Sequence, residues 1–139
     1  MTRASPDFTV RGQRGYLRLG GSVSANDAFE MVSSAIEACR ERGADELLAD
    51  LTKLDERRAP TAAERYRGIA KWAAIGRGCV RLAIVVGAAI IDEQKFGVTV
   101  ARNRGLTADI FTSEAEAMDW LDEGRKLGGR RARREVDER

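Results

Sequence analysis

The fold of this sequence is decided by the stretch Val80-Arg81-Leu82-Ala83-Ile84-Val85-Val86-Gly87, which is its most apolar and most β-branched run. From residue 82 to residue 91 every residue is apolar or glycine, and polar and apolar positions do not alternate. A strand with one face in water would alternate, whereas a continuous run of Val, Ile and Leu is typical of a strand buried on both faces. Helices must then cover both faces of the sheet, so this stretch predicts an α/β fold.

The residues upstream of this strand predict two edge strands, a helix, a strand and a second helix. Residues 7–23 contain two short strand-like segments separated by a glycine-containing turn. Residues 26–42 repeat apolar side chains every three or four positions, with Ser24 or Asn26 as the helix cap. Residues 46–52 form a nearly continuous apolar strand, and Pro60-Thr61 opens a helix that ends near Gly76.

The residues downstream predict a helix, a strand and a final helix. Residues 93–103 favour a helix, although Val98-Thr99-Val100 would also suit a strand. Residues 108–112 form a short strand, and Ser113-Glu114-Ala115-Glu116 has the form of a capping box for a helix that ends near Gly124. The predicted architecture is therefore a single twisted mixed β-sheet of about five strands with about four helices.

The charge distribution divides the chain into a domain and a tail. Residues 125–139 carry seven basic and three acidic side chains, so the remaining residues of this +2 chain carry a net charge of −2. We expect residues 7–124 to form one domain and residues 125–139 to be a disordered, solubilising tail. Because the basic charge is confined to the tail, the domain is not expected to bind nucleic acid specifically.

Missing residue types exclude several classes of function. The chain has no histidine, which removes histidine general bases, Ser-His and Cys-His nucleophiles and every His-containing metal site. Cys39 and Cys79 belong to no CxxC pair and are expected to be reduced and mostly buried, a disulfide or a reactive thiol being the alternatives. No apolar run is long enough to span a membrane. We therefore expect a cytoplasmic protein that needs neither a cofactor nor a metal.

The second predicted helix offers a candidate contact surface. Its core face is predicted to consist of small and apolar residues, namely Ala62, Ala63, Tyr66, Ile69, Ala70 and Ala73. Trp72 and Ile75 lie off that stripe, on the same side as Gly68. These three residues are predicted to form an exposed apolar patch suited to a protein partner or a second copy of the chain, unless neighbouring loops cover them.

A second candidate region follows the strand at residues 46–52. Asp50 lies near the carboxyl end of that strand, where ligands bind in open α/β sheets, although an aspartate there can also bond to the following loop. The candidate ligand or switch region consists of Asp50, Asp55, Glu56, Thr61 and Tyr66.

Three segments resemble the bacterial SpoIIAA-like proteins of the STAS group, which are also grouped with the CRAL-TRIO lipid-binding fold. They are residues 48–52, residues 82–87 and the ending Ile110–Leu121, and the resemblance covers about residues 8–124. It implies a small α/β domain without catalytic residues that binds a protein or a small ligand. In the signalling branch a serine of an Asp-Ser-Ser-Gly motif is phosphorylated, but Glu56 stands at that position here and Thr61, at the helix start, is the nearest hydroxyl after it.

Three functions of different classes follow from these observations. The favoured function is a non-catalytic interaction module that associates with itself through Trp72 and Ile75. The alternative is a carrier or sensor of a small apolar or lipid-like ligand, held in a cavity between a helix and the sheet. An enzyme would have to rely on carboxylates alone, for example Asp50 with Asp55 or Asp92, and is disfavoured.

Overall fold

The computed structural model describes residues 7–55, 61–88 and 91–137 of the 139-residue chain. Helices and strands alternate in it after an initial pair of strands, as the sequence predicts. In chain order the elements are β1 (Asp7–Arg11), β2 (Arg14–Ser22), α1 (Ala25–Glu41), β3 (Glu46–Asp55), α2 (Ala62–Gly76), β4 (Arg81–Val85), α3 (Ile91–Asn103), β5 (Ala108–Phe111) and α4 (Glu114–Asp137).

The five strands form one mixed sheet in the order β1-β2-β3-β4-β5. The β1–β2 pair is an antiparallel hairpin, and the other three pairs are parallel. Each parallel pair is joined through one helix, and right-handed crossovers between successive neighbours place α1, α2 and α3 on the same face. The predicted α/β class with one mixed five-stranded sheet and four helices is confirmed. Gly20-Gly21 lies inside β2, next to the shift of register between Arg18 and Gly20.

Strand β4 lies between two hydrophobic cores, one on each face of the sheet. Leu82 and Ile84 pack into the larger core beneath α1, α2 and α3. Ala83 and Val85 face the other way, into a smaller core with Ala117 of α4. None of these four β4 side chains is more than 8% exposed. The prediction of a strand buried on both faces is therefore confirmed.

Helix α2 is rotated relative to the orientation that its sequence predicts. Tyr66, assigned to the core face, is 45% exposed, whereas Trp72 is only 5% exposed. The Trp72 ring packs on Phe29 of α1 with 5.2 Å between ring centroids, and its indole N–H donates a hydrogen bond of 3.0 Å to the Phe29 carbonyl. Gly68 lies against the Phe29 ring, which a Cβ at position 68 would overlap. Ile75 is half-buried and packs against the larger core. The predicted exposure of the Gly68, Trp72 and Ile75 patch is thus wrong.

Helix α3 resolves the ambiguity at residues 98–100 in favour of a helix. Helix α4 begins at its predicted cap, where Ser113 Oγ accepts a 3.2 Å hydrogen bond from the Glu116 N–H, but it continues to Asp137. The predicted end of this helix near Gly124 is therefore wrong. Residues 125–137 contain five arginines, which are good helix formers, and the two adjacent glycines weaken a helix without breaking it.

The cysteines are unpaired, as expected, but only one of them is buried. Cys39 lies in the larger core, where burial raises the pKa of its thiol to about 11. Cys79, predicted to be mostly buried, is exposed because it lies in the turn between α2 and β4. Neither thiol is part of a group of three metal-ligating side chains within the described residues.

Candidate functional site

Helix α4 covers only part of its face of the sheet. It packs against β3, β4 and β5, and its half-buried Trp120 lies on Phe111 of β5 with 5.6 Å between ring centroids. The hairpin of β1 and β2 extends beyond α4 and presents polar side chains on this face. Two clusters of charged side chains join the strands to α4, one at the start of the helix and the other near its middle. We call them the carboxyl-edge cluster and the amino-edge cluster, after the ends of β4 nearest to them.

The carboxyl-edge cluster consists of Arg18, Asp50, Thr52 and Glu114. Arg18 of β2 binds Glu114 at the start of α4 through two hydrogen bonds, of 3.0 Å and 2.9 Å. Asp50 is the register partner of Arg18 and of Val85, so it lies level with the end of β4. Its Oδ1 accepts hydrogen bonds from the Thr52 N–H at 2.9 Å and from the Thr52 hydroxyl at 2.6 Å.

The two carboxyl groups of this cluster have pKa values that are shifted in opposite directions. Burial, and then the hydrogen bond that it shares with Glu114, raise the pKa of Asp50, although Thr52 opposes the change. The Arg18 guanidinium, and then Asp50, lower the pKa of Glu114 to about 2. When the pair holds one proton, Asp50 therefore carries it and donates a hydrogen bond to the Glu114 carboxylate. A carboxyl pair of this kind can hold a proton, but both groups are also structural links between the sheet and α4.

We expect Asp50→Asn to stabilise the protein more at pH 7 than at pH 4. Because the pKa of Asp50 is raised on folding, its favourable contribution is present below its unfolded value of 3.8 and is lost as the pH rises through the folded value. A carboxamide keeps the acceptor for Thr52 and a donor for Glu114 without ionising. Since the group is partly exposed, the gain at pH 7 should stay below about 1 kcal/mol.

Urea unfolding of the Asp50→Asn protein and of the unmodified protein at both pH values measures this effect. Asp119→Asn, at an exposed position of α4, is the matched control and should show no pH-dependent gain. The contribution of Glu114 has the opposite sign: it is fully present above 4.5 and is lost as the pH falls from there towards about 2, in both proteins. Equal gains at pH 4 and pH 7 would contradict this assignment of the proton.

The amino-edge cluster is built around a buried carboxylate. The side chain of Glu46, the first residue of β3, is 2% exposed. Its Oε1 contacts Arg14 Nε at 3.0 Å and Arg125 Nη2 at 2.7 Å, while Oε2 lies 3.7 Å from Arg81 Nη1. Arg14 also reaches Asp122 at 2.5 Å. The cluster therefore joins the first residues of β2, β3 and β4 to α4.

Arg81 closes this cluster against the helix. Its guanidinium lies 4.4 Å from the centroid of the Trp120 ring and donates a 3.0 Å hydrogen bond to the Leu121 carbonyl. Gly124 leaves the space for this guanidinium, because a Cβ at that position would overlap it. The charged groups of the amino-edge cluster thus form ion pairs and hydrogen bonds with one another and with α4. These contacts suit the cluster to holding α4 on the sheet.

The two edges of the sheet differ in whether their backbone groups are available to pair with another strand. At the β5 edge, Arg102 Nε donates a 3.1 Å hydrogen bond to the Ala108 carbonyl, and the Asp109 carboxylate accepts one of 2.8 Å from the Ile110 N–H. Arg102 and Asp109 also form an ion pair at 3.2 Å, so side chains close that edge. At the other edge, the backbone of β1 pairs only with β2 among the described residues.

The structure does not bring the predicted ligand or switch residues together. Asp50 belongs to the carboxyl-edge cluster on the α4 face. Thr61 forms a reciprocal capping box with Glu64 at the start of α2, on the other face, with hydrogen bonds of 3.1 Å in both directions. Tyr66 lies on the exposed side of α2 against Arg104. Asp55 is the last residue of β3, and its side chain and the whole of Glu56 lie outside the described residues.

Sequence reasoning missed the partners of these carboxylates. Arg14, Glu46 and Arg81 are register neighbours, each the first residue of its strand, so three strands in succession begin with a charged side chain. That repetition is visible in the sequence once the strands are aligned. The pairing of Arg18 with Glu114 leaves no such signal, because the two residues are 96 positions apart.

The comparisons with known proteins add no family assignment. The chain matches no protein-family model and no curated protein. Among the described residues, none of the helices has the length and apolar character needed to cross a membrane. The geometry of the sheet and of its charged clusters therefore carries the functional argument.

Proposed function

We propose that this chain is a non-catalytic interaction module of the STAS-like type that associates with itself and acts in the cytoplasm. The observation that carries the proposal is that side chains close one edge of the sheet, at β5, but not the other edge, at β1. Edge strands are sites of pairing with other chains unless they are shortened, charged or covered. The four-residue strand β5 is short and closed by Arg102 and Asp109, whereas the five-residue strand β1 is left open within the described residues.

The roles of the charged groups support a binding function rather than catalysis. Glu46 is held by three guanidinium groups, and Glu114 is held ionised by Arg18. A general acid or base needs a mobile proton beside a substrate, whereas these carboxylates are fixed in contacts that join α4 to the sheet. The cytoplasmic location is proposed because the two cysteines are unpaired, which is typical of proteins in a reducing compartment.

Close packing of the larger core favours this function over the carrier of an apolar ligand. A Cβ added at Gly15 would overlap Cys39 Sγ, and one added at Gly76 would approach Ile36 to 2.9 Å. Between α2 and α3, a Cβ at Gly97 would approach Ile69 to 2.6 Å. Helices that fit this closely on the sheet and on each other support a packed core in the place where a carrier would need its cavity.

Sedimentation velocity over a concentration series tests the proposal. We expect a reversible equilibrium between monomer and dimer, with the sedimentation coefficient rising as the protein concentration increases from about 5 to about 500 μM, a range suited to a small interface. A single monomeric species throughout that range would contradict the self-association. Hydrolysis or group transfer on a panel of simple ester, phosphate and glycoside substrates, abolished by Asp50→Asn, would contradict the non-catalytic assignment.

A further inference from the structure

We infer that two copies of this chain pair through β1, antiparallel and centred on Thr9, and so join their sheets into one. The inference rests on the proposed function and names the surface that carries it. Strand β1 reads Asp7-Phe8-Thr9-Val10-Arg11, with an acidic residue at one end, a basic residue at the other and two apolar residues flanking the central threonine. Its exposure alternates, with the side chains of residues 7, 9 and 11 exposed and those of residues 8 and 10 half-buried.

The hairpin register fixes which backbone groups of β1 face outward. Arg11 pairs with Arg14 across the two-residue turn, and such closing pairs exchange both of their hydrogen bonds. The carbonyl of Gln13, the residue before Arg14, points the other way and accepts a 3.1 Å hydrogen bond from the Glu46 N–H. By the alternation of an antiparallel ladder, the N–H and C=O groups of Phe8 and Val10 therefore point to the free edge.

Antiparallel pairing about Thr9 satisfies these groups. Phe8 of one copy lies opposite Val10 of the other, and each such pair exchanges two hydrogen bonds because both residues direct their backbone groups outward. The two apolar side chains meet on the face that carries α1, where they continue the larger core. Pro6 precedes the strand and has no N–H to donate, so the pairing ends at Asp7 and Arg11.

The charges select this arrangement over its alternatives. With Thr9 opposite Thr9, Asp7 of each copy lies opposite Arg11 of the other, whereas parallel pairing in register would place like charges side by side. Within one chain, Arg11 lies directly opposite Arg14, a like-charged pair that is unfavourable in a sheet. The charge of Arg14 is matched by Glu46 and Asp122, and the carboxylate of a second copy would match that of Arg11, which makes another copy of this chain a better occupant than an uncharged peptide.

The helices leave room for the joined sheet. Helix α1 packs over β2 and β3. In the paired arrangement the two copies of α1 would be about four strand spacings apart, or about 19 Å, and packed helices need only about 10 Å. The interface consists of two five-residue strands, so the dimer is expected to be weak, with a dissociation constant in the micromolar range.

Charge-reversal variants test the register directly. Arg11→Glu and Asp7→Lys each place like charges across the interface, so each should raise the dimer dissociation constant about tenfold or more. A mixture of the two should form a heterodimer, because Lys at position 7 then faces Glu at position 11 on one side and Arg11 faces Asp7 on the other. Arg67→Glu, at an exposed position of α2, is the matched control and should dimerise as the unmodified protein does. Thermal unfolding of each variant verifies that it is folded.

A cross-link provides a test that does not depend on charge. Residue 9 forms a pair without hydrogen bonds at the two-fold axis, with about 4.5 Å between Cα atoms, which lies within the range of a disulfide. In a Cys79→Ser background, Thr9→Cys should be oxidised to a covalent dimer, while Thr112→Cys, at an exposed position just after β5, should form no covalent dimer. A dimer that persists in both charge variants, with no heterodimer on mixing and no cross-link at residue 9, would overturn the β1 interface and leave the proposed self-association intact. A monomer at all concentrations would overturn both.

Discussion

Glu46→Gln is expected to destabilise the protein by about 2–4 kcal/mol, because it removes the buried carboxylate that three guanidinium groups share. Glu46 is 2% exposed, and Arg14, at 11% side-chain exposure, cannot turn its head group fully to water. Arg81 and Arg125 are more accessible, at 25% and 46%, so they can recover part of their hydration. The loss should therefore fall at or below the range measured when one partner of a fully buried ion pair is removed.

Chemical denaturation of Glu46→Gln beside Glu30→Gln provides the measurement and its control. Glu30 pairs with Lys71 at 2.6 Å, but both side chains are about half exposed, at 58% and 48%. Removing that carboxylate should change the free energy of unfolding by less than about 0.5 kcal/mol. The same Glu-to-Gln change is thus compared at a buried and at an exposed position. Equal effects at the two positions would show that the amino-edge cluster does not hold α4 on the sheet.

The architecture was accessible from the sequence because burial leaves a local pattern. The β4 run predicts a strand covered on both faces, and the two cores on either side of Ala83 and Ile84 confirm it. The caps at Ser24 and Ser113 were also predictable, since a helix start needs an acceptor for the first free N–H groups. Each of these signals lies within a few residues of the structure that it predicts.

The site was less accessible because its contacts are distant in the sequence. Glu114 is 96 positions from Arg18, and Arg125 is 79 positions from Glu46. Asp50 was identified from its position near a strand end, but nothing local distinguishes a carboxylate that meets another carboxyl group from one that faces water. The sequence places both β1 and β2 at the edge of the sheet, but only the strand order shows that β1, rather than β2, has a free side.

The orientation of α2 was predicted wrongly for a different reason. The predicted stripe counted the alanines and Tyr66 as core, but a helix that packs between two other helices and a sheet has no single buried stripe. Trp72 is buried because α1 presents Phe29, whose ring packs on the indole and whose carbonyl accepts its N–H. Tyr66, one and a half turns earlier, lies on the far side and contacts Arg104 at the surface.

Trp72→Ala is accordingly expected to destabilise the protein by about 3–5 kcal/mol, the range for removing a large buried aromatic side chain. The change leaves a cavity beside Phe29 and leaves the Phe29 carbonyl without its indole donor. Trp72→Phe keeps much of the apolar volume and should lose less, about 1–3 kcal/mol, chiefly through the missing hydrogen bond. Tyr66→Ala, which the sequence pattern alone would rank as a core deletion, should stay within about 1 kcal/mol because the ring is 45% exposed.

Urea unfolding monitored by far-ultraviolet circular dichroism measures all three, since this signal does not depend on the deleted indole. The order Trp72→Ala, Trp72→Phe, Tyr66→Ala in decreasing loss supports the observed rotation of α2, and a larger loss at Tyr66 than at Trp72 would reverse it.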